Sequence, residues 1–423
     1  MPGTLGFMDQ FINVDSNINK ARWLDAGEAA TLLGVKVTTL YAYVSRGLLR
    51  GAGASRTGGH VYLEEDVARL ALRARARKGH AAVAASALGF GDPVLSSAIT
   101  EITERGPRYR GELAVELVAN GAKFEGVAER LILALPAPRP SSALLALVEK
   151  RLTRVRALHP KPGMHRLLAV VAELASPDAP VEGARMLDAA SFMRLAAAYG
   201  GPRVARAKPT MAHTVLAAFG LSTTGPRGAA SLRAVDAALV LLADHELNAS
   251  SFACRVAAST GARVEVALLA GLAACTGPRH GSASAGAVAL LRARDRSAEG
   301  RRRVIRGGRC PPSPSGTPPG FGHPLYPKGD PRFAPLLEHA RGVAPRSAFL
   351  ARGARVIGAV ARAAGARPNV DFGLALLTLA LGAPASLGPF LFMIARMAGW
   401  FAHAREQQAQ GTLLRPRARY VGP

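Results

Sequence analysis

His280, in the stretch ACTGPRHGSASAGAVALLRA, stands between a Gly-Pro turn and the small-residue start of a helix. The Ser/Ala run after it reads as a helix opening with a Ser cap, which sets the imidazole near the positive end of the helix dipole. That field disfavours the imidazolium, and a neutral ring can donate a hydrogen bond to a developing oxyanion without itself carrying charge. Alone, such a histidine is more often a capping or half-buried structural residue. Three further stretches share its setting. GFGHPLYPKGDPR carries His323 and then Arg332, RPNVDFGLALL has Asp371 at the start of an apolar helix, and LLADHELNASSFACRVAASTGA has His245 within a helix with Asn248 after it. Each sets a chemically useful group beside a turn or a helix end.

These groups need elements to hold them. From Leu374 to Ala402 the chain is apolar for longer than a membrane span requires, but Gly382, Pro384, Gly388 and Pro389 divide it into two helices. Arg396 stands in the second, where an unpaired guanidinium is costly, so an anionic partner is expected. The pair reads as core helices rather than membrane spans. Cys254, Cys275 and Cys310 form no C-x-x-C pair, so neither a metal site nor a disulfide framework is indicated. The first 22 residues lack a basic start followed by an apolar run. The expectation is a disordered N-terminus, no signal peptide and a cytoplasmic protein.

Residues 23–80 form a unit of their own. Asp25 with Glu28 makes a capping box, and Ala29, Leu32 and Leu33 give a first helix its buried face. A second helix after Gly34 buries Leu40 and Val44, and a Gly-Gly hairpin then leads to a third helix from Glu64 with Val67 and Leu70 buried. This is a winged helix-turn-helix pattern, and EAATLLGVKVTTLYAYVSRGLL followed by HVYLEEDVARL resembles the MerR/excisionase type. If DNA is bound, Thr38, Thr39, Tyr41, Tyr43 and Arg46 face the groove and Arg56 on the wing meets phosphate. The formal net charge of +25 favours a polyanionic or phosphorylated partner. Arginine-rich, Ala/Gly-rich composition also follows from GC-rich coding, so charge by itself does not specify DNA.

From about residue 105 the sequence is helical by pattern, interrupted at 301–320 by an Arg-rich and then Pro/Ser/Gly-rich stretch read as a loop. Over residues 105–423 the ordered run YRGELAVELV, DHELNASSFACRVAASTGA, GPRHGSASA, GFGHPLYPKGDPR, PNVDF, IARMAGWFAHAREQ and RPRARYVGP resembles the citrate synthase family. The resemblance implies a mainly α protein, an N-terminal winged helix-turn-helix followed by an all-helical large and small domain, with a small catalytic subdomain at about 276–380. It implies condensation of acetyl-CoA or another short acyl-CoA with oxaloacetate, then hydrolysis to citrate and coenzyme A. Asp371 would be the base, His280 the neutral histidine that bonds the thioester oxygen, and His323 the group that polarises and protonates the keto oxygen of oxaloacetate. Arg332, Arg396 and Arg415 would bind carboxylates and His245 would bind substrate. Arg415 would reach a neighbouring subunit's site, implying a homodimer. No permanent cofactor or metal is expected; the coenzyme A thioester is a co-substrate.

Three features depart from the family pattern. Ser282 replaces the second glycine after the first histidine, Pro324 follows His323 where arginine is usual, and the loop 301–320 differs where coenzyme A would lie. The alternative function is a DNA-binding transcriptional regulator whose synthase-like domain senses oxaloacetate or acyl-CoA.

Overall fold

The computed structural model describes residues 23–45, 49, 51–52, 60–64, 66–67, 70–71, 95–133, 140–161, 163–176, 187–205, 210–277, 280–293 and 317–416. Two compact units result, one reaching to Ser96 and the other running from Ser97 to Arg415.

In the first unit, β1 (Trp23–Leu24), α1 (Ala26–Leu33), α2 (Val37–Ser45), β2 (Gly51–Ala52) and β3 (Val61–Leu63) follow in order, and the strands form an antiparallel sheet ordered β1-β3-β2. The expected capping box is present at Asp25 and Glu28, and Gly34 closes α1 in the left-handed conformation. A small core gathers Leu24, Ala29, Ala30, Leu40, Leu49, Tyr62 and Val67. The buried faces differ in detail from the pattern reading. Leu32 is 45% exposed and Val44 37% exposed, Leu70 is only partly buried, and Ala30 takes a core position instead of Leu32. A helix of eight residues offers one narrow buried stripe, and small Ala30 fits it where a second leucine would not.

The second unit opens with a three-stranded antiparallel sheet, β4 (Thr100–Thr103), β5 (Gly106–Tyr109) and β6 (Glu112–Leu113), that helical periodicity missed. Strands this short leave no readable alternation. Helices α3 (Ala114–Ala119), α4 (Phe124–Ile132), α5 (Ser142–Leu158), α6 (Met164–Leu174), α7 (Ala189–Gly200), α8 (Met211–Ala218) and α9 (Gly225–Leu242) follow. Then come α10 (Ala249–Ser259), α11 (Val264–Cys275), α12 (Ala283–Arg292), α13 (Phe333–Val343), α14 (Ala348–Ala364), α15 (Val370–Ala380) and α16 (Leu387–Gln410). Side chains of Ser141, Asp188, Thr210, Asn248, Ser347 and Asn369 cap the helices that follow them, satisfying amides that would otherwise be orphaned.

The mainly α expectation holds, and one continuous apolar core joins the unit. At its centre α16 is buried on nearly every face, from Leu387 to Ala404, which explains its unbroken apolar run. The break expected before it lies at Gly382 and Pro384, whereas Gly388 and Pro389 sit inside the first turn of α16. Proline is tolerated there because its missing N–H is one a helix start leaves unpaired anyway. Among the described residues no helix is long and apolar enough to cross a membrane.

Candidate active site

The turn between residues 320 and 332 brings two of the singled-out residues together. Arg332 is 2% exposed and its guanidinium is forked onto Asp330, Nε donating to Oδ1 at 2.9 Å and Nη2 to Oδ2 at 2.8 Å. Asp330 also accepts the amides of Arg332 and, across the fold, of Val370 at the start of α15. This bidentate pair spends two of the three guanidinium nitrogens and leaves Nη1 for a ligand. Tyr326 lies under the same guanidinium, 5.5 Å from ring centroid to Cζ. The rings of His323 and Tyr326 pack at 4.8 Å, and the ring of His245 meets both. Beside them opens a cavity of about 440 Å³ bordered by Gly322, His323, Tyr326, Asp330 and Arg367.

His245 is not within a helix. It lies in the connection between α9 and α10, because Asn248 caps α10 and ends any continuous helix there. Its Nε2 is 3.0 Å from the Tyr326 hydroxyl. Burial, and then the charges of Arg332 and Arg396, hold it well below the usual histidine range. His280 follows a turn in which its amide bonds to the Gly277 carbonyl and the Gly281 amide to Cys275. Its Nε2 is 2.8 Å from the Ser250 hydroxyl, which also accepts from Trp400 Nε1 at 3.2 Å, and its ring meets Phe392 edge-on. The Ser250 hydroxyl also donates to Asn248 Oδ1 at 2.7 Å, which ties the cap of α10 to His280.

The cause of His280's neutrality differs from the sequence expectation. Burial comes first and the Arg396 charge second, and together they push the ring down to about 4. Ser282 stands at the cap position of α12 but its side chain makes no capping hydrogen bond. His323 is likewise lowered to about 4, by burial and then by Arg332, against the pull of Asp330.

Asp371 occupies the first turn of α15, and Asn369, not Asp371, is the cap: Asn369 Oδ1 accepts the Asp371 amide at 3.0 Å. Asn369 is fixed in turn by donating to the Gly322 carbonyl at 2.8 Å, tying α15 to the His323 turn. Gly320 allows this contact. Its φ is +86°, and a Cβ there would lie 2.9 Å from the Phe372 Cβ. Burial raises the half-buried Asp371 carboxyl to about 7, with Arg332 opposing, Asp330 adding, and the Ser284 amide of α12 and Arg396 also lowering. Arg396 is 1% exposed, donates from Nε to the Leu242 carbonyl at 2.9 Å, and lies 4.6 Å over the Phe392 ring. Its Nη1 has no hydrogen-bond partner among the described residues. Arg332 and Arg396 act on Asp371 and His245, Arg332 on His323 and Arg396 on His280, so the six groups surround one centre.

The profile for "Citrate synthase, C-terminal domain" matches residues 89–417. The chain belongs to the citrate synthase family. A "Helix-turn-helix domain" profile matches residues 23–75. Among citrate synthase relatives, "Citrate synthase 2" of Bacillus subtilis is 35% identical over 45% of this chain and 51% of its own. "2-methylcitrate synthase 2" of Corynebacterium glutamicum is 32% identical over 47% of this chain and 53% of its own. The chain thus spans about half the length of the curated relatives it matches. The citrate synthase of Thermoplasma acidophilum, solved with carboxymethyl coenzyme A and oxaloacetate, superposes with a TM-score of 0.61 at 24% identity, covering 78% of this chain and 94% of that one. That likeness shows the citrate synthase fold.

Not every residue expected from the family pattern joins the cluster. Arg415 is exposed in the irregular segment after α16 and makes no bond to the other site groups among the described residues. In the first unit Thr38 and Tyr41 are exposed and Thr39 is half-buried, whereas Tyr43 packs against the small core instead of facing outward. Arg46, Arg56 and most of the loop 301–320 lie outside the described residues. The pattern reading also missed Tyr326, Asp330 and Ser250. The signal for Asp330 was present in GDPR, an acid two residues before a buried arginine, but Ser250 reaches His280 only through the packing of α10 against α11.

Proposed function

We propose that the chain condenses acetyl-CoA, or another short acyl-CoA, with oxaloacetate and hydrolyses the resulting thioester to citrate and coenzyme A. The single observation that carries this reading is Asp371, raised to about 7 beside two histidines held neutral and two buried arginines. A carboxylate near pH 7 in basicity is suited to take a proton from the weakly acidic methyl of a thioester. His280 then donates a ring N–H to the enolate oxygen without itself carrying charge. The enolate carbon bonds to the keto carbon of oxaloacetate, while His323 donates to the oxygen that becomes the alkoxide. Water then cleaves the thioester, releasing the thiol of coenzyme A. Arg396 Nη1 and Arg332 Nη1 are the open guanidinium donors for the dianion's carboxylates, with His245 beside them.

The relatives' names include both citrate and 2-methylcitrate synthases, which supports either an acetyl or a propionyl donor. One methylene in an apolar pocket separates such donors by only about 1–3 kcal/mol. We further read residues 276–380 as the small catalytic subdomain, Arg415 as completing a partner's site in a homodimer, and the cytoplasm as the setting. The helix-turn-helix match at 23–75 supports a second reading, in which the chain is a DNA-binding regulator that senses these substrates.

The test is release of free thiol from acetyl-CoA or propionyl-CoA with oxaloacetate. Wild type should turn over and Asp371→Asn should lose roughly 10²–10⁴-fold in kcat, the usual contribution of a general base. A wild-type protein inactive with both donors, yet binding duplex DNA in a metabolite-dependent manner, would favour the regulator.

A further inference from the structure

A buried polar chain lies behind Arg396 and takes no part in the reaction as written. Arg396 Nη1 and Asp244 Oδ1 are both buried without a hydrogen-bond partner among the described residues. Asp244 is the largest charge partner of Arg396, yet no ion pair joins the two among the described residues. Opposite charges this deeply buried would close into a pair if either side chain were free to turn.

Asp244 is held back. Its Oδ2 accepts from the Glu246 amide at 3.1 Å and lies 3.3 Å from His403 Nε2. His403 Nδ1 accepts from Arg255 Nε at 3.0 Å, so the ring's proton resides on Nε2 and is donated to Asp244. Arg255 is locked in turn by Gln407 Oε1 at 3.1 Å and by a close ion pair with Glu406. On the other side, Oδ1 packs against the backbone of Gly399, where a Cβ would lie 2.2 Å away. The Thr100 hydroxyl lies close enough to help hold the Asp244 carboxyl low, but it and Oδ1 do not reach hydrogen-bond geometry. The chain Glu406, Arg255, His403, Asp244 thus links α10 and α16 to the connection that carries His245.

We propose that Arg255 and His403 are positioning residues that hold Asp244 off Arg396, keeping the Arg396 guanidinium open for a substrate carboxylate. The proposal rests on the reading of Arg396 as part of an oxaloacetate site. Without the His403 bond, Asp244 would turn onto Arg396 and compete with the substrate as an internal carboxylate.

The experiment measures oxaloacetate binding by calorimetry and thiol-release kinetics for four full-length proteins: wild type, His403→Leu, His403→Gln, and His403→Leu combined with Asp244→Asn. For His403→Leu, the expected result is about a tenfold or larger rise in both Kd and KM for oxaloacetate, with kcat at saturation changed by less than about threefold. His403→Gln should stay near wild type, because its amide oxygen can accept from Arg255 while its nitrogen donates to Asp244. The double variant should recover most of the lost affinity, since a neutral amide cannot replace the substrate at Arg396. A folded His403→Leu with unchanged oxaloacetate KM overturns the proposal, and so does a double variant as weak as the single. Should His403→Leu not fold, Arg255→Met removes the bond that orients the ring and must show the same rise in KM; an unchanged KM there overturns the proposal equally. A wild type that binds no oxaloacetate overturns the functional reading and this inference with it, whereas intact wild-type binding with unmoved variants overturns this inference alone.

Discussion

Asp371 is the residue whose environment does most to set behaviour against pH. Burial raises its carboxyl to about 7, while His280 and His323 are pushed down to about 4. Between those values the two imidazoles stay neutral while the Asp371 carboxyl changes state. The rate of thiol release at low substrate should therefore climb with pH and level off above about 7, with a single ionisation governing the rise. The same shift acts on stability. In the unfolded chain the carboxyl ionises near its ordinary value, so between about 4 and 7 the folded protein binds the extra proton and loses stability as pH rises. Asp371→Asn removes that loss. Its melting temperature should match wild type near pH 4, exceed it progressively up to about pH 7, and keep a constant advantage above. A melting difference independent of pH would mean that Asp371 ionises at its ordinary value. Activity and stability thus move in opposite directions at one residue, as expected where a buried acid is kept for chemistry.

At the scale of elements, the candidate site is built from helix ends, and this decides how much of it was legible. His280, Asp371, His323 and Arg332 were visible because each stands beside a turn signal in Gly, Pro or Asn, and side chains at such breaks point into the space between helices. The positions that brace them were not visible. Ser250 and Asp244 meet their partners His280 and His403 across helix contacts, and nothing in local spacing announces a contact between residues so distant in the chain. The short β4–β6 sheet escaped for a similar reason, since Tyr109 is fixed by its hydroxyl's contacts with the Val240 and Asp244 carbonyls rather than by strand pattern. The turn from α11 to α12 makes the point testable. A Cβ at Gly281 would lie 2.5 Å from the Cys275 carbonyl oxygen, so Gly281→Ala must shift the backbone that carries His280. Overpacking of this kind costs about 1–3 kcal/mol, and the displaced imidazole should lower kcat/KM at least tenfold in a protein that still melts cooperatively. Ser282→Gly should change little by comparison, because the Ser282 side chain makes no capping bond and its φ of −108° demands no glycine. Equal effects from the two variants would contradict this account of the turn.

At the scale of the whole molecule, the two units have separate cores, and the +25 net charge belongs to the chain as a whole, so charge does not single out the helix-turn-helix as its origin. What the second unit leaves unfinished is Arg415. It is exposed near the end of the described residues, apart from the cluster that the other arginines join. If Arg415 completes the site of a two-fold partner, each active centre draws Asp371 from one subunit and Arg415 from the other. Asp371→Asn and Arg415→Ala homodimers should then both be inactive or nearly so, for different reasons. Mixed under conditions that allow subunit exchange, half of the dimers are heterodimers, and each holds one doubly damaged centre and one intact centre. Recovery of about a quarter of wild-type activity is expected by this counting. A mixture that stays inactive while exchange is verified by mass would place Arg415 outside the partner's site. An Arg415→Ala protein that is fully active alone would remove it from the site altogether. Recovery near a quarter would show that the centre is assembled only when two copies meet, which makes the folded monomer a substrate-binding unit but not a complete catalyst.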